Sequence, residues 1–184
     1  HEGINLPENC SGVDFNRCGI PLVEIVTEPD LHHPEEAREC LTALRDLVRF
    51  IEVSDGNMEE GSLRCDANIS ISTHPDLMGV KVEVKNMNSF RSVFRALEYE
   101  IDRQKRCLEE GGSVPQETRH WDETNEVTIS SRGKEDAEDY RYFPDPDLLP
   151  YIVKEEVIHQ IKSSLPELPL ERKERFMIDY ELTE

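Results

Sequence analysis

Two long apolar stripes at helical spacing, separated by two segments of alternating polarity, leave few folds open to this chain. The first stripe spans residues 34–51, where apolar residues recur every three or four positions and a proline stands at the first turn. The second spans residues 89–110, follows a capping Asn88 or Ser89, and ends at a Gly-Gly pair. Both stripes predict helices with one buried face.

The residues between these helices predict two paired strands. Residues 61–72 alternate apolar with polar side chains, and residues 80–85 alternate valine with Lys or Glu. Their short connection favours an antiparallel pair, and residues 118–131 predict a further hairpin. This order predicts an α+β fold, in which an antiparallel sheet forms a cradle with helices on one face.

A proline-rich run at residues 144–150 predicts a domain boundary. We expect one domain over residues 1–150, followed over residues 151–184 by a linker and the start of a helical region. The chain has no initiator methionine, and we expect it to be part of a longer protein.

The charge and the motifs exclude several classes of function. The 40 acidic and 21 basic residues give a net charge of −19, which argues against a broad nucleic-acid surface but allows a small basic site. No apolar run approaches the ~20 residues of a membrane span. Phosphate-loop, HExxH and GxSxG motifs are absent from the sequence. The five cysteines form no CxxC pair, so we expect reduced thiols, buried at Cys40 and Cys65, and a reducing compartment.

Charged side chains alternate on the polar side of the two predicted strands. They are Arg64, Asp66 and Asn68 on the first strand, and Lys81, Glu83 and Lys85 on the second. Oxygen ligands of this kind suit Mg²⁺, and Arg and Lys suit phosphate, so the pattern fits an anionic ligand bound with a divalent ion. The alternative is a solvated face whose ion pairs contribute about 0–1 kcal/mol each.

Glu24 stands in the middle of an apolar segment. Its neighbours Leu22, Val23, Ile25 and Val26 predict a strand buried on both faces. An unpaired buried carboxylate is costly, so Glu24 needs either a metal ion or a cationic partner. The residues alone leave both open.

Five blocks of the chain resemble one known family, the B subunits of glutamyl/aspartyl-tRNA amidotransferases (GatB). They are VDFNRCGIPLVEIVTEPD (13–30), SDGNMEEGSLRCDANIS (54–70), VEVKNMNSFR (82–91), LEEGGSVPQETRHWDE (108–123) and DYRYFPDPDLLP (139–150). The blocks occur in family order, which makes the resemblance highly specific. It implies a fold similar to the glutamine synthetase and guanido kinase group.

The resemblance also implies a reaction and its partners. ATP activates the side-chain carboxylate of Glu-tRNA(Gln) or Asp-tRNA(Asn) as an acyl phosphate. Ammonia released from glutamine by the amidase, GatA, then forms the amide, and a small third protein, GatC, clamps the other two. ATP and Mg²⁺ are the implied cofactors, and a bacterial-like cytoplasm or an organelle matrix is the implied compartment.

The resemblance places Glu24 at the position of a Mg²⁺ ligand. The other metal ligands of the family, a Glu-x-His and an acidic cluster, have no counterpart here, so we expect the isolated chain to be inactive. Within the matching motifs, chemistry assigns phosphate neutralisation to Arg64 and Lys85, support of metal or water to Asp66, and substrate orientation to Asn68.

Arg119 and Arg141 are further candidates for binding the cofactor, with a structural role as the alternative for each. Trp121 is interpreted as a core residue rather than a platform for base stacking. The alternative to a catalytic role is a noncatalytic scaffold that docks GatA and positions tRNA. A free-standing carboxylate–amine ligase is a third possibility, weakened by the full run of family blocks.

Overall fold

The computed structural model describes residues 12, 15, 16, 19–74, 76–131 and 147–183. The chain forms two compact units, His1–Asp30 and Leu31–Glu184. The predicted boundary near residue 150 stays a prediction.

The first unit contains no strand among its described residues. The prediction of a strand buried on both faces at residues 22–26 is therefore wrong, since Leu22 and Val23 are 90% and 82% exposed. Glu24 is exposed as well. A strand needs a neighbour that takes its backbone hydrogen bonds, and the described residues of this unit supply none.

The second unit contains the two predicted long helices. Helix α1 spans Pro34–Phe50 and helix α2 spans Phe90–Glu109, so both predictions are confirmed. Ser89 caps α2, because its side-chain oxygen accepts a hydrogen bond from the backbone N–H of Ser92 at 3.0 Å. Two shorter helices follow, α3 at Glu155–Ser164 and α4 at Pro169–Asp179, separated by a proline-containing break as predicted.

Four strands form one sheet in the order β1-β2-β3-β4. They are β1 (Ala67–Ile69), β2 (Val82–Lys85), β3 (Glu117–Asp122) and β4 (Val127–Ser130). The predicted antiparallel pairs are both present, β1 with β2 and β3 with β4. Strands β2 and β3 are parallel.

The sheet is therefore mixed, and the prediction of a purely antiparallel sheet is corrected. The reason is the connection between β2 and β3, which contains the whole of α2. Parallel neighbours need a crossover of a dozen or more residues, usually a helix, whereas hairpins join antiparallel strands. The α+β class itself is confirmed.

The core lies between the sheet and α2, and α1 packs against α2. Its buried apolar residues include Val82 and Val84 of β2, Trp121 of β3, and Val93 and Ala96 of α2. The interpretation of Trp121 as a core residue is confirmed, since it is 2% exposed. Among the described helices, none combines the length and apolar character that a membrane crossing requires.

Candidate functional site

The two faces of the sheet differ in what covers them. Side chains that alternate toward α2 are buried, whereas those on the other side reach solvent. We call the second set the open face, and its members on or beside the first three strands are Asp66, Asn68, Lys81, Glu83, Lys85, Thr118 and His120. The face therefore carries both carboxylates and cations, as the alternating sequence predicted.

Lys85 is the central contact of the open face. Its Nζ lies 3.2 Å from Asp66 Oδ2 and 3.2 Å from Glu83 Oε1. Asp66 immediately precedes β1, so this ammonium joins carboxylates on two neighbouring strands. The structure thus brings together Asp66 and Lys85, two of the predicted site residues.

The carboxylates keep Lys85 charged. Partial burial by itself lowers the pKa of Lys85, but hydrogen bonds to Glu83 and Asp66 and their negative charges outweigh it. The pKa of Lys85 therefore lies above its ordinary value. A permanently charged ammonium at a half-exposed position can bind an anion such as phosphate.

Glu83 is held on its other side by a third strand. Thr118 Oγ1 of β3 donates a hydrogen bond to Glu83 Oε2 at 2.9 Å. The two residues are backbone partners in the parallel β2–β3 pair. Sequence reasoning missed Thr118, because its place beside Glu83 depends on that parallel pairing.

Asn68 and Arg64 complete the predicted site residues in this unit. Asn68 is exposed and lies opposite Glu83 in the β1–β2 register. Arg64 is exposed, and it makes no hydrogen bond or ion pair with any described residue. A guanidinium in that state, two residues before Asp66, is available to an anionic ligand.

Arg119 lies on the opposite face of the sheet, against α2. Its side chain is 12% exposed, with Nε 3.5 Å from Glu100 and Nη1 2.7 Å from Glu117. It also donates hydrogen bonds to the side chain and the carbonyl of Thr128, at 2.8 and 2.6 Å. This placement favours the structural alternative for Arg119, and its predicted role in binding cofactor is not supported by a contact with the open face. Arg141 lies outside the described residues.

The carboxylate that is fully buried in the described structure is Glu100, not Glu24. Glu100 is 0% exposed and binds Arg103 at 2.6 Å, Gln104 at 2.9 Å and Thr128 at 2.9 Å. Burial raises the pKa of Glu100, but these hydrogen bonds and the charge of Arg103 outweigh it and hold the pKa below its usual value. The contacts join α2 to β4, so Glu100 organises the covered side of the sheet.

The thiols agree with the predicted reduced state. Cys40, Cys65 and Cys107 are free and half-buried. Burial raises the pKa of Cys65 to about 11, so this thiol stays protonated and is a poor nucleophile. Cys10 and Cys18 lie outside the described residues.

The oxygen donors of the open face fit a magnesium nucleotide in kind. Mg²⁺ usually takes one or two carboxylates and completes its coordination with phosphate oxygens and water. Asp66 and Glu83 offer two carboxylates, although Lys85 binds both of them. Among the described residues, no group of three or more His, Cys, Asp or Glu side chains is placed to hold a metal ion. A metal ion here would need further oxygen ligands from the nucleotide or from other parts of the protein.

The fold and the open face define an α+β domain that offers an ammonium, a guanidinium and paired carboxylates to a charged ligand. Residues 3–159 match the family described as the GatB/GatE catalytic domain. The chain belongs to this family, and the resemblance identified from the five sequence blocks is confirmed.

Relatives from several bacteria are similar over the whole chain. The B subunit of the aspartyl/glutamyl-tRNA(Asn/Gln) amidotransferase from Thermotoga maritima is 53% identical over 186 residues, covering 100% of this chain and 39% of the relative. The protein of the same name from Carboxydothermus hydrogenoformans is 52% identical over 184 residues, covering 100% of this chain and 38% of the relative. The one from Bdellovibrio bacteriovorus is 53% identical over 173 residues, covering 94% and 36%. The chain therefore spans less than two-fifths of the length of these relatives.

Proposed function

We propose that this chain is the part of a tRNA-dependent amidotransferase, within its GatB protein, in which ATP activates the carboxylate of a tRNA-bound Glu or Asp. The observation that carries the proposal is the charged Lys85 between Asp66 and Glu83 on an open sheet face, in a chain of the GatB/GatE catalytic domain family. The substrates are Glu-tRNA(Gln) or Asp-tRNA(Asn), as the names of the relatives indicate.

The difficulty of the first step is electrostatic. A carboxylate oxygen of the substrate attacks the γ-phosphorus of ATP, the bond from that phosphorus to the bridging oxygen breaks, and ADP leaves. Two anions must meet, so catalysis depends on positioning and charge neutralisation. Lys85 and Arg64 supply positive charge to the phosphate oxygens, and Asn68 orients the substrate carboxylate through its amide.

The second step converts the acyl phosphate into the amide. Ammonia attacks the acyl carbon, the bond from that carbon to the phosphate oxygen breaks, and inorganic phosphate leaves. The cations that bound the γ-phosphate remain close to the leaving phosphate in this step. Mg²⁺ bound with the nucleotide supplies additional neutralisation of phosphate charge.

The remaining parts of the proposal concern metal ligands, partners and compartment. Glu24 is the proposed Mg²⁺ ligand from the first unit, where its side chain is exposed. The proposed partners are the amidase GatA, which releases ammonia from glutamine, and GatC. The proposed compartment is a bacterial-like cytoplasm.

The proposal is tested by replacing Lys85 in the complete protein, assembled with GatA and GatC. We expect Lys85→Met to lower the rate of amide formation on glutamyl-tRNA(Gln) by about 100-fold, because removing one preorganised group that stabilises the transition state typically costs this much. Lys105→Met is the matched control, since Lys105 is exposed on α2. Its rate should equal that of the unmodified enzyme.

The competing function is the noncatalytic scaffold. It is favoured by the ion pairs of Lys85, which a solvated structural face would also show. On that account, Lys85→Met and Lys105→Met form amide at the same rate, and that result would overturn the proposed function. Free glutamate in place of glutamyl-tRNA tests the free-standing ligase, which requires that free glutamate stimulate ATP cleavage.

A further inference from the structure

We infer that Glu83 and Thr118 are positioning residues, which hold the ammonium of Lys85 where it meets the phosphate groups. The inference deepens the proposed function and rests on it. It concerns residues that neither the sequence motifs nor the family names assign to a role.

The contacts form one continuous row across three strands. Thr118 Oγ1 of β3 donates to Glu83 Oε2 at 2.9 Å, and the other oxygen of the same carboxylate, Oε1, lies 3.2 Å from Lys85 Nζ in β2. Lys85 then reaches Asp66 beside β1 at 3.2 Å. Each carboxylate oxygen of Glu83 therefore has its own partner, which fixes the rotation of the carboxylate plane.

The two carboxylates bound to Lys85 are not equivalent. Glu83 is held by Thr118 and is 32% exposed, whereas Asp66 is 52% exposed and contacts no described residue besides Lys85 through its carboxylate. A lysine side chain has four rotatable bonds and takes up many positions unless a fixed partner restrains it. Glu83 is therefore the fixed partner of Lys85, and Asp66 is the partner that an incoming anion can displace.

The covered face of the sheet explains why Thr118 is itself fixed. The next residue, Arg119, points to the other side of β3 and binds both Glu117 and Thr128. These bonds attach β3 to β4 immediately behind Thr118. The parallel register then sets Thr118 directly beside Glu83. The buried network thus supports the geometry of the open face without touching it.

The test removes the Thr118 donor while keeping the shape of the side chain. In the complete protein with GatA and GatC, Thr118→Val should lower kcat for amide formation about five-fold and leave the KM for ATP unchanged, because one hydrogen bond is lost. Thr118→Ser retains the donor and should restore kcat. Equal loss of kcat in Thr118→Ser and Thr118→Val would overturn the inference, since the hydroxyl would then not be the cause.

A control for simple destabilisation uses a threonine of the covered face. Thr128→Val also removes a buried hydroxyl, the one that binds Glu100, but it leaves the row from Thr118 to Lys85 intact. It should lower the melting temperature and keep kcat below that temperature. A fall of kcat in Thr128→Val equal to that in Thr118→Val would assign both effects to stability and overturn the inference.

A second readout does not depend on turnover. Without nucleotide, acetylation of Lys85 by an amine reagent, followed by peptide mass spectrometry, should be several-fold faster in Glu83→Gln than in the unmodified protein. The reason is that loss of the negative partner lowers the pKa of Lys85 and releases its amine. Thr118→Val should fall between these two proteins, and a rate equal to that of the unmodified protein in both variants would contradict the inference.

A double-mutant cycle separates this inference from the proposed function. If Thr118 acts through Lys85, then adding Thr118→Val to Lys85→Met should cause no further loss of kcat. Full activity of Lys85→Met would refute the proposed function itself. A strongly impaired Lys85→Met beside a fully active Thr118→Val would refute only the positioning role.

Discussion

At the scale of single residues, the structure places a buried carboxylate at a position that its sequence neighbours do not advertise. Glu24 stands between apolar residues and is exposed, whereas Glu100 stands on a mostly polar helix and is fully buried. What decides burial is the face on which a residue falls. Glu100 is seven residues after Val93 and three after Leu97, so it lies on the apolar stripe that the sequence did reveal.

Replacing Glu100 should destabilise α2 and the sheet behind it. We expect Glu100→Gln to lower the free energy of opening of α2 by about 3–5 kcal/mol, because it leaves Arg103 and Arg119 without their buried partner. Hydrogen exchange of the α2 amides in the complete protein measures this energy. Glu98→Gln, at an exposed position of the same helix, is the control and should leave exchange unchanged.

The same carboxylate predicts how stability depends on pH. The pKa of Glu100 is lower in the folded chain than its ordinary 4.5, so its stabilising contribution is complete above pH 4.5 and is lost as the pH falls through the folded pKa. Glu117 has a lowered pKa for similar reasons and adds to this acid-side loss. Glu100→Gln should therefore show a shallower loss of α2 protection on acidification, and an unchanged slope would contradict this account.

At the scale of elements, periodicity predicted most of the fold, and the direction of strand pairing was where it failed. The helices α1 and α2 and the β3–β4 hairpin follow from short-range patterns. The parallel pairing of β2 with β3 depends on where α2 returns the chain, which no local pattern records. The same limit applies to the site, since Asp66 and Lys85 were predicted from alternation and Thr118 was not.

The β1–β2 hairpin depends on a glycine after the loop. A Cβ at Gly79 would lie 1.9 Å from the carbonyl oxygen of Ile71, so Gly79→Ala must push the strands apart. A Cβ at Gly111 meets nothing within 4 Å, and its φ of +77° alone should cost about 1 kcal/mol in Gly111→Ala. We expect Gly79→Ala to lower the melting temperature more than Gly111→Ala, and the reverse order would show that the hairpin relaxes freely.

At the scale of the whole chain, the net charge of −19 makes the few accessible cations informative. An anionic nucleotide approaches such a molecule against its average field, so local positive charge must attract it. On the open side of the sheet, the cations without an ion-pair partner among the described residues are Arg64 and Lys81, and Lys85 is the one between carboxylates. The account therefore requires that nucleotide bind over these side chains.

That requirement is measured most directly by amine labelling of the complete protein, assembled with GatA and GatC, with and without ATP and Mg²⁺. Lys85 is the residue of interest, and Lys105, exposed on α2, is the internal control. We predict that nucleotide slows the labelling of Lys85 several-fold and leaves the labelling of Lys105 unchanged. Identical labelling of Lys85 with and without saturating nucleotide would contradict the central claim.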